Sequence, residues 1–108
     1  MAKFMAIYTG QPGAPSPDAD TVAKGMQAWG AWMARHAGQI VDMGGPLGKT
    51  KRVSAAGIAD VSNNIAAYIV VEADSHESAA RLFEAHPHFS IFPGDGVDVM
   101  PCLPIPGA

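Results

Sequence analysis

Charge is scarce in this sequence. Asp, Glu, Lys and Arg together make up 16% of 108 residues, against about 25% in an average soluble domain. A small domain so poor in charge has trouble covering its surface, so an apolar patch that pairs with a second copy is expected. Seven basic residues face ten acidic ones, for a net charge of -3. That balance leaves no basic footprint for nucleic acid or for an anionic lipid surface. A single cysteine, Cys102, excludes an internal disulfide and a zinc-type cysteine cluster. No apolar run approaches the ~18 residues of a membrane span, and Met1 to Ile7 reads directly as structure rather than as a signal peptide. A cytoplasmic protein is expected, with neither nucleic acid nor membrane as partner.

What is present fits one domain, residues 1–108. At 11.2 kDa, area scaling gives roughly 5,700 Å² exposed when folded, enough for one core and not for two. Residues 3–9 are apolar on both alternating faces, Phe4, Ala6 and Tyr8 on one and Met5 and Ile7 on the other, as in an interior strand. Prolines and glycines forbid regular structure over 10–17, which predicts a loop bordering a cleft. From Asp18 to His36 the period turns helical, with a stripe of Val22, Met26, Trp29 and Met33 flanked by Gly25, Trp32 and His36. Ser16 or Asp18 can cap its start, and Gly38 supplies a left-handed stop.

Residues 39–43 form a second strand running into Gly44-Gly45-Pro46, whose glycines permit a bulge or close backbone contact. Residues 51–54 and 58–61 read as an exposed hairpin around Ala55-Ala56-Gly57. A strand over 65–73 leads into a second helix, capped by Asp74 with Glu77 closing a capping box. Its stripe is Ala79, Leu82, Phe83 and His86, and Pro87 stops it. A last strand spans 97–102 and contains Cys102, expected to be a buried, inert thiol. Strand–helix–strand, hairpin, strand–helix–strand is the ferredoxin-like βαββαβ order, an α+β fold with an antiparallel four-stranded sheet and both helices on one face. The opposite face, with Tyr8, Tyr68 and Val70 available to it, calls for a second subunit.

Several segments resemble the YCII-related family: Gly44-Gly45-Pro46-Leu47 after the first helix, 69–75 leading into the second, 85–89 after it, and 97–101 at the end. The resemblance spans nearly the whole chain and implies a dimeric α/β barrel, in which two ferredoxin-like units pack sheet to sheet. It also implies a polar group at the His86 position facing the cleft. Two departures stand out. Residues 58–64 replace an Asp-Gly-Pro-Phe segment, and a His–Asp catalytic pair has no counterpart, since Ala28 or Trp29 and His86 occupy its positions.

The chemistry-bearing cluster is His86-Pro87-His88-Phe89. An imidazole titrates near neutrality and suits general acid–base work; the competing reading is that both rings only satisfy a helix C-terminus. A catalytic zinc needs three protein ligands, and no spacing ties another residue to this pair, so no metal is expected. Tyr8 is the candidate hydrogen-bond donor. Trp29, Trp32, Met33 and Phe89 are candidates to shape a substrate pocket, although aromatic stripes also build plain core. Lys49, Lys51 and Arg52 make a small basic knot on the hairpin, a solvated arm or an anion clamp. No nucleotide or flavin fingerprint occurs, so no cofactor is expected. Two functions remain: a cofactor-free isomerase or lyase acting on a small molecule through a histidine, or a non-catalytic dimer that binds a small ligand or a protein.

Overall fold

The computed structural model describes residues 1–107; Ala108, the end of the Pro-rich tail, lies outside them. In chain order the elements are β1 (Ala2–Thr9), α1 (Ala19–Arg35), a 3-10 turn at Ala37–Gln39, β2 (Ile40–Pro46), β3 (Thr50–Ser54), β4 (Gly57–Val61), β5 (Ile65–Ala73), α2 (His76–Arg81), α3 (Pro87–Ser90) and β6 (Gly96–Pro101). Four strands form one antiparallel sheet in the order β2-β5-β1-β6, and β3 pairs only with β4 as a separate hairpin. β1 is interior, as its two-sided apolar pattern requires.

Register divides the sheet into two faces. Phe4 lies opposite Val71, Ala6 opposite Ile69 and Tyr8 opposite Ala67. These residues alternate with Met5 opposite Val70 and Ile7 opposite Tyr68, so they share the other face. The first set is the core: Phe4, Ala6, Tyr8, Ile69 and Val71 are buried with Trp32, Ala79 and Phe83. Tyr8 therefore packs among helix residues rather than on the open face, where Tyr68 and Val70 stand half-buried. The chain measures 45 × 36 × 18 Å. Its thinness follows from one helical layer on one side of one sheet.

The long helix starts where Asp18 caps it, its carboxylate accepting from the Thr21 amide at 2.7 Å. Those contacts hold the Asp18 carboxyl below its usual range. The buried stripe is rotated from the expected one: Gly25 and Trp32 are buried, Trp29 and Met33 half-buried, while Val22 and Met26 are exposed. Gly25 explains the rotation, because a Cβ there would overlap the ring of Phe92. The helix can approach the 87–95 segment only along that glycine. Gly38 is not left-handed; the chain passes through the 3-10 turn directly into β2.

The second helical region departs further from the sequence expectation. Ser75, not Asp74, is the cap, accepting from the Ser78 amide at 3.0 Å, and Glu77 pairs with Arg81 instead of closing a box. The α-helix ends at Arg81, and Ala85 at φ 54 turns the chain. Pro87 then opens α3 rather than ending α2. A proline needs no amide partner in a first helical turn, which makes that position its natural place.

At the edge strand, Gly44 lies at φ 60 beside a register shift, and a Cβ on it would overlap the Tyr68 carbonyl oxygen. Gly44→Ala is expected to cost about 2–3 kcal/mol from left-handed strain plus the clash, read as a lower denaturant midpoint. Gly45→Ala, with open space at its Cβ, is the control and should change little. The hairpin projects with Val53 and Ile58 exposed, and Lys51 makes an exposed ion pair with Asp60 at 2.7 Å. Cys102 is exposed rather than buried: its amide bonds the Lys3 carbonyl just past the last strand, so the side chain lies beyond the packed sheet. No described helix is long and apolar enough to cross a membrane.

Candidate functional site

A cavity of about 490 Å³ opens between the middle of α1, the end of β1 and the 88–94 segment. Met26 and Trp29 come from the helix, Tyr8 and Gly10 from the strand end, and Gln11 and Ala14 from the Pro-rich loop over 10–17, which thus borders the cavity. Met43, Gly45 and Pro46 of β2, residues 66–69 of β5, and His88, Phe92, Pro93 and Gly94 complete the lining. No Asp, Glu, Lys or Arg belongs to it. The wall is mostly apolar, with Tyr8, Tyr68 and His88 among its residues, and this is the usual composition of a small-molecule site. By register the Tyr68 side chain belongs to the opposite sheet face.

Both histidines are held by backbone groups that fix their protons. The His88 amide donates to His86 Nδ1 at 3.0 Å. An amide can only donate, so Nδ1 presents its lone pair and the ring proton of neutral His86 sits on Nε2. That Nε2–H donates to Tyr8 Oη at 3.3 Å. His88 Nε2 lies 2.6 Å from the Thr9 carbonyl oxygen and must donate to it, which leaves Nδ1 of neutral His88 as an unprotonated acceptor. The same Thr9 oxygen accepts from the Asp95 amide at 2.9 Å, so strand end, α3 and the 93–95 turn are tied at one atom. Among the described residues His88 Nδ1 has no protein partner, and no side-chain nitrogen or oxygen is both sealed from solvent and unpaired. That nitrogen is therefore not sealed from solvent, and its ring lines the cavity.

The two rings differ in surroundings. His86 is 0% exposed, enclosed by Tyr8, Trp29, Trp32 and Phe83 at ring-centroid distances of 5.1, 4.6, 4.6 and 5.9 Å. Burial first, and then the charges that His88 and His36 would carry, lower its pKa to about 4. Burial likewise pushes the Tyr8 hydroxyl well above its usual value. His86 is thus a neutral core ring at pH 7 that sits behind Tyr8 and does not line the cavity. Its depressed pKa has a definite consequence for stability. The unfolded chain binds a proton near pH 6.5 that the folded chain refuses until about pH 4, so stability falls as pH drops through that window. Up to about 3 kcal/mol is lost in this way. Urea midpoints taken from pH 7.5 to 4 should show that fall in wild type and a shallower one in His86→Phe; equal slopes would refute it.

The remaining candidates divide in the same manner. Trp29 lines the cavity. Trp32 is buried, its indole N–H donating to the Leu82 carbonyl at 2.8 Å, and it faces the core. Met33 packs half-buried against that core and Phe89 is 39% exposed; neither reaches the cavity. The aromatic wall at the 87–95 segment is instead Phe92, in contact with Trp29 at 6.0 Å between centroids. Phe92 is absent from the sequence candidates, and Met26 enters there only as part of the helical stripe. A glycine in mid-helix was the available signal, since Gly25 marks where the Phe92 ring comes against α1. Among the described residues no group of three or more His, Cys, Asp or Glu gathers to hold a metal.

No protein-family model matches the sequence, and no curated protein matches it. A solved structure does share the fold: 5-chloro-2-hydroxyhydroquinone dehydrochlorinase from Burkholderia phenoliruptrix, in complex with 2,5-dihydroxybenzoquinone. It aligns with a TM-score of 0.57 and 17% identity, over 90% of this chain and 89% of that one. At this identity the likeness is one of fold.

Proposed function

We propose that this chain is a ferredoxin-like unit of the dimeric α/β-barrel kind. In this reading it binds a small, uncharged, ring-shaped molecule in the cavity beside Trp29 and catalyses proton transfer on it, as an isomerase or lyase. The carrying observation is the pairing, in one apolar cavity, of a phenol (Tyr8) with an imidazole nitrogen (His88 Nδ1) that has no protein partner. A charged ligand would meet no compensating side chain there and would pay its full desolvation cost. A flat ring fits the faces of Trp29 and Phe92. His88 takes the proton, Tyr8 meets an oxygen of the substrate, and His86 supports Tyr8 from behind. The fold neighbour supports this class, because it removes chloride from a hydroxylated ring and holds a dihydroxyquinone.

The same lining supports a second reading, a non-catalytic ligand-binding dimer: no carboxylate of the described residues stands in the cavity to orient His88. Hydroxyhydroquinones with and without a ring halogen separate the two. Enzyme should release halide, or exchange ring hydrogen for deuterium, faster than buffer does. Binding with no turnover on any member favours the second reading, and no binding at all overturns both.

Dimerisation rests on area. The chain exposes 7229 Å², roughly 1,500 Å² above the scaling value for its mass, while a standard interface removes about 800 Å² from each partner. Met5, Ile7, Tyr68 and Val70 on the open sheet face are the surface that a second sheet would cover. Light scattering at micromolar concentration should give twice the chain mass; a monomer would overturn the pairing.

A further inference from the structure

We infer that His86 is a positioning residue that holds the Tyr8 hydroxyl as a hydrogen-bond donor toward the cavity, so that the site selects molecules carrying a carbonyl oxygen. The inference rests on the cavity being a small-molecule site, and it adds which functional group is read and by what device.

The chain of donors starts at the backbone. The His88 amide occupies His86 Nδ1 at 3.0 Å, and α3, opened by Pro87, fixes the direction of that amide. With Nδ1 taken, the ring proton lies on Nε2 and points at Tyr8 Oη. Two protons cannot share one hydrogen bond, so the hydroxyl accepts from His86 and its own O–H turns elsewhere. Among the described residues no acceptor is in hydrogen-bond reach of Tyr8 Oη besides the His86 ring, and Tyr8 lines the cavity. The group that receives that proton must come from whatever fills the cavity.

Had the His86 proton been on Nδ1, Tyr8 would donate to Nε2 and offer the cavity a lone pair, selecting hydroxyl and amine donors instead. One backbone amide therefore sets the polarity of the site. A carbonyl, as in a ketone or a quinone, accepts without donating and meets Tyr8 in its fixed state. Burial keeps His86 neutral, and the His88 amide at Nδ1 selects the tautomer that carries the proton on Nε2.

The test uses acetophenone and α-methylstyrene, which share a shape and differ in C=O against C=CH₂. Their dissociation constants are measured by ligand-observed NMR on wild type, Tyr8→Phe, His86→Leu and His86→Gln. The expected result is that the acetophenone preference over α-methylstyrene falls about tenfold in Tyr8→Phe, the worth of one buried hydrogen bond. It should fall by several-fold in His86→Leu and return in His86→Gln, whose amide can both accept from the His88 amide and donate to Tyr8. Nitrogen-15 correlation spectra of wild type at pH 7 should place the His86 proton on Nε2.

A His86 proton on Nδ1, or a preference unchanged in Tyr8→Phe, overturns the inference while leaving the cavity a binding site. Neither probe binding wild type at millimolar concentration overturns the small-molecule reading and the inference with it. Should the His86 variants fail to fold, the wild-type spectrum and Tyr8→Phe decide the matter alone.

Discussion

Trp32→Ala is expected to cost about 3–5 kcal/mol of folding stability, the range for removing a buried indole from a core. The ring is 2% exposed and packs on Phe83, His86 and His36 at centroid distances of 5.2, 4.6 and 5.0 Å. Its N–H is the donor to the Leu82 carbonyl, the bond that ties α1 to the end of α2. Alanine would leave that carbonyl short of a partner as well as opening a cavity, so both penalties fall at one place. Against a total of about 5–15 kcal/mol for a small domain, the loss approaches complete unfolding. Trp32→Phe keeps most of the packing and loses the hydrogen bond, and should fall between. Denaturant midpoints check the order, and a Trp32→Ala loss below about 1 kcal/mol would mean that the indole is not a core residue.

A second large effect is expected at His88. If its Nδ1 is the proton handler, His88→Gln should lower kcat by about 10²- to 10⁴-fold, the usual contribution of a positioned general base. Glutamine still reaches the Thr9 carbonyl with an amide N–H, so the junction of strand end and α3 survives while the basic nitrogen is lost. The binding constant for a non-reacting ring ligand should move by less than tenfold, since the apolar wall of Trp29 and Phe92 is untouched. A kcat within threefold of wild type would remove His88 from the chemistry. His88→Ala is the less informative change, because it also removes the donor at 2.6 Å from Thr9 and the ring against which Gly94 packs.

Much of the fold was written locally. Prolines and glycines in 10–17 do not admit regular structure whatever surrounds them, and the two-sided apolar run of β1 has stability only inside a sheet. The hairpin at 50–61 needed only its own turn, with Gly57 at φ 108, and so it lay where the pattern put it. Near the site the local signal was weaker. An Asp-Ser pair offers two caps, and the choice of Ser75 over Asp74 was invisible in the spacing. Pro87 reads equally well as the end of one helix or the start of the next.

Which side chains meet one another was decided by tertiary structure alone. Tyr8 and His86 are separated by 78 residues, and α1 turns its Gly25 edge rather than its Val22–Met26 edge to the rest of the molecule because Phe92, distant in sequence, needs the space. Helical periodicity gives the width of an apolar face but not its rotation to within one residue, since Met26 and Trp32 are equally apolar on paper. The sequence by itself determined an α+β domain with an antiparallel sheet, few charges, and two histidines close to a helix end. Only the assembled chain separated the roles of those histidines. His86 is enclosed by aromatic rings with its lone pair spent on a backbone amide, and His88 faces a cavity with one nitrogen free. A cap residue and one inside the helical turn it precedes point in different directions, and which direction leads to the core depends on neighbours that no local pattern contains.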